Sequence, residues 1–327
     1  MPEVICLGEA LIDFIALESG VSVGEASGFS KAFGGATANV SVAVSRLGRK
    51  CAFVGKVGDD PFGRFIEGVL VENGVDTSRM HFDKAYRTGL AFVSLASGGV
   101  PDFVFYRHPS ADMMLRVDEL DCEFISDARI FHYGSISLIT EPSRSATLAA
   151  VSAARDAGAI TSYDPNLRLS LWDNAEKAKQ GIIEGLSGAG FVKLNESELE
   201  FITGESELEN GVRALMAMCA NVELVFVTRG PEGCYYATAH CSGSVSGFDV
   251  SPVDTTGAGD AFTGAVLAQV LERNLNSGDI SKLSQQELDS ISRVANAVGA
   301  LATTKRGAIA SLPTLGELQA FLRQGTR

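Results

Sequence analysis

The sequence lacks the features of a disulfide-rich, metal-binding or membrane-bound protein. Its six cysteines are scattered without a CxxC pair, and its four histidines show no HExxH or other metal-binding spacing. No uncharged apolar run approaches the length that spans a bilayer. A secretory signal peptide is not apparent, because Glu9 and Asp13 interrupt the early apolar segment and the first basic residue is Lys31. We therefore expect a cytoplasmic protein with reduced thiols.

Positive charge is also scarce. Lys and Arg number 27 against 40 Asp and Glu, which gives a net charge of −13. Such an acidic chain does not favour nucleic acid or an anionic membrane, and we expect neither as a partner. A phosphate group would have to be bound by local backbone dipoles and a few cations. The 327 residues, 46% of them hydrophobic, are typical of a globular chain with one large α/β domain or two small ones.

Short apolar runs alternate with segments of helical periodicity. The apolar runs predict strands at 4–7, 52–54, 130–133, 160–163, 191–194 and 224–227. Apolar residues with a period near 3.6 predict helices around 40–47, 62–70 and 148–155. Continuous apolar strands that alternate with helices indicate a parallel sheet covered on both faces.

Two segments, about 14–33 and 88–107, break this alternation. Both are short, glycine-rich and β-like, and the second is predicted to turn at Ser97-Gly98-Gly99. We predict that they form a small β-structured lid on the main sheet; two ordinary surface hairpins are the alternative. Because no repeat or composition shift indicates a second core, we predict a single domain over 1–327.

The segment DTTGAGDAF at 254–262 is the strongest candidate for chemistry. Small residues at 257–259 let a ligand approach the backbone, and Ala261, Ala265 and Ala268 follow at helical spacing. The unpaired N–H groups of a helix start attract anions. The segment is neither a GxGxxG nor a Walker A motif. Asp260 is either a first-turn acid that stabilises the helix dipole or a general base, and from this segment alone both roles stay open.

Other polar residues follow predicted strands. Asp13 comes after the first strand, and Gly34-Gly35-Ala36-Thr37-Ala38-Asn39 opens a helix. In an open α/β sheet, ligands bind beyond the carboxyl ends of the strands, so Asp13 and Asn39 are expected there. A carboxylate and an amide together suit the hydroxyls of a polyol. Three more residues leave a later strand at the same edge: Asp164, Asn166 and Arg168.

Two longer segments resemble the paired motifs of the ribokinase-like, or PfkB, carbohydrate kinase family. They are GGATANVSVAVSRLGRKCAFVGKVGDDPFG at 34–63 and DTTGAGDAFTGA at 254–265. The segments FYRHPSAD at 105–112, FHYGSI at 131–136 and YDPNLRL at 163–169 resemble its fructokinase branch. The resemblance runs nearly end to end. It implies a ribokinase-like three-layer sandwich with a mostly parallel central sheet and a small β-sheet lid, and ATP-dependent phosphorylation of D-fructose at O6.

The resemblance also implies roles for individual residues. Asp260 matches the catalytic base, and the anion hole matches Gly257, Ala258 and Gly259. Sugar contacts match Asp13, Gly34, Gly35 and Asn39, to which the strand-end residues and Arg107 are added as candidates. Nucleotide contacts match Asn195, Thr228, Gly230, Gly233 and Asn296. Mg²⁺ is expected through water on Asn195 and Glu198. A possible K⁺ site, built mostly of backbone oxygens, matches Asp254, Thr256, Ala302, Lys305, Gly307 and Ser311. The lid is often a dimer contact, which implies a homodimer.

Alternative functions stay open at this point. Arg168 and the strand that ends at Arg107 could grip the carboxylate of 2-keto-3-deoxygluconate, the substrate of a related kinase. The HPS sequence after Arg107 instead favours a role in supporting the lid. A nucleoside kinase is less favoured by the fructokinase-like middle segments. A non-catalytic sugar-sensing module is disfavoured by the intact Asp260, and a dinucleotide oxidoreductase by the missing GxGxxG.

Overall fold

The structure, a computed structural model, describes residues 1–95 and 101–324. The strands are β1 Val4–Leu7, β2 Leu11–Ala16, β3 Phe29–Gly34, β4 Cys51–Gly58, β5 Met80–Asp83, β6 Leu90–Leu95, β7 Pro101–Tyr106, β8 Ile130–Gly134, β9 Ile160–Asp164, β10 Phe191–Asn195, β11 Leu224–Thr228, β12 Cys234–Thr238 and β13 Ser242–Val245. The helices are α1 Ala36–Arg46, α2 Pro61–Glu72, α3 Cys122–Ser126, α4 Ser143–Asp156, α5 Ala175–Leu186, α6 Glu196–Thr203, α7 Leu208–Met218, α8 Ala258–Glu272, α9 Gln285–Ala302, α10 Ala308–Ser311 and α11 Leu315–Gln324. Within these ranges, no helix combines the length and the apolar character needed to cross a bilayer.

The main sheet has nine strands in the order β13-β12-β11-β10-β9-β8-β1-β4-β5. From β5 to β11 every neighbouring pair is parallel, as the alternation of apolar runs and helices predicted. The edge strands β12 and β13 run antiparallel to their neighbours. The predicted α/β class is therefore confirmed, with an antiparallel edge added.

Helices cover both faces of the main sheet, which gives three layers. Alternate residues of β1 enter different cores: Val4 and Cys6 pack with α1, α8 and α9, whereas Ile5 and Leu7 pack with α4, α5 and α7. All of these β1 side chains are fully buried. Because β1 is buried on both faces, its residues are all apolar instead of alternating with polar ones.

The two glycine-rich segments form one small sheet in the order β3-β2-β6-β7. Parallel pairing of β2 with β6, in the register Ile12 with Leu90, joins the two hairpins edge to edge. Phe14 stacks on Phe92 at 5.0 Å between ring centroids and contacts Phe62 of α2 edge-on at 5.8 Å, which ties the small sheet to the main body. The turn predicted at 97–99 lies outside the described residues.

One edge of the molecule gathers the chain segments that carry the candidate residues. Strands β9, β10 and β11 end there at Asp164, Asn195 and Thr228. Helices α1 and α8 begin at the same edge, α1 directly after the small sheet. The parallel sheet thus places residues that are distant in sequence around one site.

Candidate active site

Two cavities meet at the start of α8. The inner cavity, of about 340 Å³, lies between the small sheet and α8; the outer cavity, of about 810 Å³, lies between β11 and α9. Gly259 and Thr228 line both. The predicted residues that line the inner cavity are Asp13, Gly35, Asn39, Asn166, Arg168, Asn195, Glu198, Thr228, Thr256, Gly257, Gly259 and Asp260. Those that line the outer cavity are Thr228, Gly230, Gly233, Ala258, Gly259 and Asn296.

Asp260 lies in the first turn of α8 and is only 7% exposed. Asn39 Nδ2 of α1 donates a hydrogen bond of 2.8 Å to Asp260 Oδ2, which fixes the carboxylate towards the inner cavity. Burial raises the pKa of Asp260 to about 6, against the hydrogen bond from Asn39, which lowers it. A carboxylate with a pKa in this range is ionised at pH 7 and is a stronger proton acceptor than an ordinary aspartate.

The start of α8 has the backbone geometry of an anion site. Gly257 adopts a left-handed conformation, with φ of 82°, and a Cβ there would lie 3.0 Å from the Ala308 Cα. Gly257 is the cap residue of α8, and as a glycine it has no side chain to bond to the N–H groups of the first turn. The backbone at 257–259 lines both cavities, so its N–H groups and the positive end of the helix dipole lie where the cavities meet.

Asp13 supplies a second carboxylate to the inner cavity. Burial raises its pKa to about 6; Arg168 opposes this shift and Asp260 adds to it. Gly34 does not line the cavity itself, but a Cβ there would lie 2.5 Å from Asp13 Oδ2, so the bare glycine makes room for the carboxylate. Gly35 has φ of 117° and passes so close to Glu9 that a Cβ would lie 2.4 Å from its carbonyl oxygen.

Arg168 and two aromatic side chains of the small sheet form the far wall of the inner cavity. Phe103 and Phe105 of β7 both line it, with their rings stacked at 5.9 Å. The Arg168 guanidinium lies 5.9 Å from the Phe103 ring centroid, within the range of a cation–π contact. The small sheet therefore contributes directly to the wall of this cavity.

Two predicted substrate residues, Arg107 and Asp164, lie behind the cavity wall instead of lining it. Arg107 is buried, and its Nε donates to Asp112 Oδ2 at 2.9 Å. Asp164 Oδ2 accepts from Lys193 Nζ at 3.0 Å. Each charge is buried with a partner of opposite sign, which satisfies it within the protein. Direct contact of Arg107 or Asp164 with a substrate stays a prediction.

Asn195 and Glu198 form a reciprocal cap at the start of α6. Asn195 Oδ1 accepts from the Glu198 N–H at 2.9 Å, and Glu198 Oε2 accepts from the Asn195 N–H at 2.9 Å. Glu198 Oε1 also accepts from the Leu167 N–H at 2.8 Å. Burial raises the pKa of Glu198, and Asp164 adds to the shift. Both side chains are held in fixed positions on the inner cavity.

The outer cavity is lined by backbone turns and by α9. Gly233 has φ of 95°, and a Cβ there would lie 2.1 Å from the Val245 carbonyl oxygen. Asn296 Nδ2 donates to the carbonyl oxygens of Val245 at 2.9 Å and Ser246 at 3.1 Å. Asn296 therefore fixes the end of β13, and so holds this wall of the cavity.

The segments expected to hold K⁺ meet beside the start of α8. Asp254 Oδ1 accepts from the Thr256 N–H and Asp254 Oδ2 from the Gly307 N–H, both at 2.9 Å. Lys305 instead extends outwards to Glu317, with Nζ 2.9 Å from Oε1. Two further residues of this set are buried, Ala302 and Ser311.

Two residues of the inner cavity had no role assigned from the sequence. Lys193 is buried in β10, and the signal that was present is a lysine within the apolar run FVKL. Glu9 Oε1 accepts from the Ala36 N–H, the first of α1, at 2.8 Å. Burial raises the pKa of Glu9 to about 7. Its signal was weaker, since only its place after the first strand pointed to the site.

Residues 1–315 match the sequence model of the pfkB family carbohydrate kinases. It is 51% identical over 321 residues to probable fructokinase-2 of Arabidopsis thaliana, with 98% of this chain and 95% of that protein covered. The structure resembles the crystal structure of fructokinase with bound ATP from Xylella fastidiosa, with a TM-score of 0.91, 34% identity and full coverage of both chains. It also resembles a double mutant of fructokinase from Vibrio cholerae O395 in a fructose, ADP and potassium ion bound form, with a TM-score of 0.86, 37% identity and 98% of each chain covered.

Proposed function

This chain belongs to the pfkB family of carbohydrate kinases, and we propose that it is an ATP-dependent fructokinase that converts D-fructose and ATP to D-fructose 6-phosphate and ADP. The observation that carries the proposal is the position of Asp260. Its buried carboxylate lies at the helix start where a small polar cavity meets a larger one. Fructose would occupy the inner cavity and ATP the outer one.

The residues of the inner cavity suit a neutral polyol. Asp13 can accept hydrogen bonds from two hydroxyls. Asn39 Nδ2 is engaged with Asp260, whereas Asn39 Oδ1 is buried without a partner among the described residues and can accept from a sugar hydroxyl. These groups would orient the sugar so that its primary hydroxyl lies against Asp260, which is the positioning that phosphoryl transfer requires.

The transfer itself needs little covalent chemistry from the protein. Asn39 bonds to one carboxylate oxygen of Asp260 and leaves the other free. This free oxygen takes the proton of the 6-hydroxyl while O6 of the sugar bonds to the γ-phosphorus. The bond from the γ-phosphorus to the bridging oxygen of ATP breaks, and ADP leaves. The backbone N–H groups at 257–259 would hold the charge that spreads over the transferred group.

We also propose that Mg²⁺ is held through water by Asn195 and Glu198. Their oxygen atoms accept backbone hydrogen bonds and face the inner cavity, so they fit an outer-sphere role better than direct ligation. When bound with ATP, the ion would supply positive charge to the phosphates. The Asp254 carboxylate joins the two segments that would hold K⁺, and equal activity in K⁺ and tetramethylammonium buffers would exclude that cation's role.

Whether the site prefers fructose or 2-keto-3-deoxygluconate depends on the positive charge that it offers. A site for a sugar acid needs cationic side chains that bind the carboxylate, and Arg168 is one such side chain on the inner cavity. Arg107, the other candidate, is already compensated by Asp112. With Arg107 compensated, Arg168 is the one arginine on the described inner cavity, and the Asp13 carboxylate already opposes its charge. This arrangement favours a neutral sugar over an acid that would need two cations. Arg168 nevertheless keeps the sugar acid as the competitor to test.

The small sheet is proposed to act as a lid of a single domain and as the contact of a homodimer. Phe103 and Phe105 already line the inner cavity, so closure would exclude water from Asp260. Leu17 and Tyr106 of the same sheet region are 66% and 63% exposed, an apolar surface suited to a second copy. Sedimentation of wild type and Tyr106→Glu tests the dimer. Six free cysteines suit the proposed cytoplasmic location.

The function is tested by measuring ADP release with fructose, ribose, glucose, nucleosides and 2-keto-3-deoxygluconate, with Asp260→Asn as the matched control. We expect the highest kcat/KM for fructose and a product with a phosphate on O6 by ³¹P NMR. If the acid is preferred and Arg168→Met removes that preference, the 2-keto-3-deoxygluconate kinase replaces our proposal. Fructose binding without any turnover would instead indicate a sugar-sensing module.

A further inference from the structure

A buried ion pair lies directly beneath the start of α8. The Lys193 side chain, in the middle of β10, is 7% exposed, and its Nζ lies 3.0 Å from Asp164 Oδ2 at the end of β9. A lysine at this depth is stable only with a partner, and Asp164 provides one. The pair is therefore compensated within the interior, and neither residue takes part in the proton or phosphoryl transfer proposed above.

The pair contacts the turn that carries Asp260. A Cβ on Gly259 would lie 2.9 Å from Lys193 Nζ, so the ammonium packs against the bare Cα of the residue before Asp260. The Thr263 hydroxyl, one turn further on, lies 3.3 Å from Asp164 Oδ2 and 3.1 Å from the Gly259 carbonyl oxygen. Lys193, Asp164 and Thr263 thus join β9 and β10 to the first turn of α8.

Carboxyl groups outnumber cations around the inner cavity that Asp260 lines. The neutral amide of Asn39 faces Asp260 from α1. The charged or titratable groups come from the segment after β1, β2, the end of β9 and the loop after it, β10 and α6, and they are Glu9, Asp13, Asp164, Arg168, Lys193 and Glu198. Of the two cations, Lys193 is the more deeply buried. Its charge is therefore screened less by solvent than that of Arg168, and it offsets part of the rise that Asp164 causes in the pKa of Asp260.

We propose that Lys193 is a positioning residue for phosphoryl transfer: together with Asp164 it fixes the first turn of α8 and supplies the interior positive charge that keeps Asp260 ionised. This inference rests on the proposed function, because it assigns Asp260 as the base. It assigns Lys193 no contact with the sugar. Asp164 is the compensating half of the pair, so the two residues should act on Asp260 in opposite directions.

The test compares Lys193→Met, Asp164→Asn and the double variant with wild type. For each protein, kcat is measured from pH 5 to 9 at saturating fructose and ATP, together with both KM values and Tm. Lys193 lowers the pKa of Asp260 and Asp164 raises it. We therefore expect the acid limb of kcat to move up by about one pH unit in Lys193→Met and down in Asp164→Asn. In the double variant the acid limb should return close to the wild-type position.

Lys56→Met is the matched control. Lys56, on β4, is a similarly buried lysine whose side chain is 6% exposed and forms ion pairs with Asp83 and Glu119. It lines neither cavity of the described site. Its loss should lower Tm without moving the acid limb. If Lys193→Met behaves like Lys56→Met, the pair is merely structural and the inference is wrong. A tenfold or greater rise in the KM for ATP without a pH shift would overturn it in favour of a direct phosphate ligand.

A readout without turnover separates this inference from the proposed function. The titration of the Asp260 carboxyl, followed by ¹³C NMR, should move to higher pH in Lys193→Met and to lower pH in Asp164→Asn, and it should stay near the wild-type position in the double variant. Wild type that phosphorylates no sugar, with the expected NMR shifts, would refute the proposed function but support the charge coupling. Active wild type with unmoved titrations would refute only the inference. If Lys193→Met fails to fold, the opposite shift of Asp164→Asn and its reversal in the double variant decide.

Discussion

The two helices that begin at the site, α1 and α8, start in similar ways but are used differently. Each follows a glycine with positive φ, Gly35 at 117° and Gly257 at 82°, and the cap residue of neither contributes a side-chain hydrogen bond. Helices α6 and α9, by contrast, begin with side-chain capping boxes. Neither glycine therefore caps its helix with a side chain, and both starts lie on the inner cavity.

The two helices differ in which group bonds to the N–H groups of the first turn. At α1 the Glu9 carboxyl group accepts from the Ala36 N–H at 2.8 Å, so a side chain of the protein occupies this start. At α8 the carboxylate of the first turn, Asp260, is turned to Asn39 and the cavity. The start of α8 is therefore available to a phosphate group, whereas the first N–H of α1 is already occupied by Glu9. An uncapped helix start becomes a ligand site only where the protein leaves it unfilled.

The largest effect is expected from Asp260→Asn. The variant should bind fructose with a similar Kd but lower kcat by about 10²–10⁴-fold, the usual contribution of a positioned base. Asn keeps the shape and a hydrogen-bonding oxygen for Asn39 but cannot take the proton. Steady-state kinetics and calorimetric titration of fructose measure the two quantities. A variant that retains more than half of the wild-type kcat would exclude Asp260 as the base.

Asp13→Ala and Asn39→Ala test whether the inner cavity binds the sugar and not the nucleotide. Each removes hydrogen bonds to hydroxyls and should raise the fructose KM by about 10–100-fold, with the ATP KM little changed. Asn39→Ala should also lower kcat and move its acid limb to higher pH, because the Asn39 hydrogen bond lowers the pKa of Asp260. Kinetics from pH 5 to 9 distinguish the two variants. A larger change in the ATP KM would refute the assignment of the cavities.

Local sequence pattern predicted both helix starts but not their difference. Gly34–Asn39 and the segment at 254–262 each predicted a glycine-opened helix, and both predictions are confirmed. The carboxyl group that occupies the start of α1 comes from Glu9, 27 residues earlier, and only the fold brings it there. Lys193 is similar: its apolar strand was predicted, yet its partner Asp164 lies 29 residues away on the neighbouring strand. Contacts of this kind are set by tertiary packing and have no local periodicity.

The antiparallel edge of the main sheet illustrates a second limit of the sequence. Strand β13 has the sequence SGSV, with alternating exposed and half-buried positions, and therefore lacks the continuous apolar run of the central strands. Arg107 shows the same limit at a single residue. The sequence left it either as a substrate contact or as support for the lid, and the structure pairs it with Asp112, five residues later. Motif resemblance predicted the edge of the sheet where the cavities lie, whereas ion pairs of this kind depend on the fold.

The stability of Asp260→Asn should differ from wild type in a pH-dependent way. The folded-state pKa of Asp260, about 6, lies above its usual value of 3.8, so ionisation of the buried carboxyl destabilises the native state. The variant should therefore be more stable than wild type by about 1–3 kcal/mol at pH 8, and this gain should fade as pH falls from 6 to 4. Urea unfolding at pH 8 and pH 4.5 measures it. A gain that is equal at both pH values would contradict this account.

Glu9→Gln should have the smallest effect on catalysis and so gives the sharpest contrast with Asp260→Asn. Both substitutions replace a buried carboxyl at a helix start by its amide. The amide oxygen of the new side chain can still accept from the Ala36 N–H, so α1 stays in place and kcat should fall by less than about threefold, under 1 kcal/mol in barrier height. The pKa of Glu9, raised from 4.5 to about 7, means that its ionisation costs native stability as pH rises through that range. Urea unfolding should therefore show Glu9→Gln to be more stable than wild type at pH 8.5 and equal to it at pH 4.5. A loss of kcat as large as that of Asp260→Asn would mean that the start of α1 takes part in the chemistry, and the distinction between the two helices would fail.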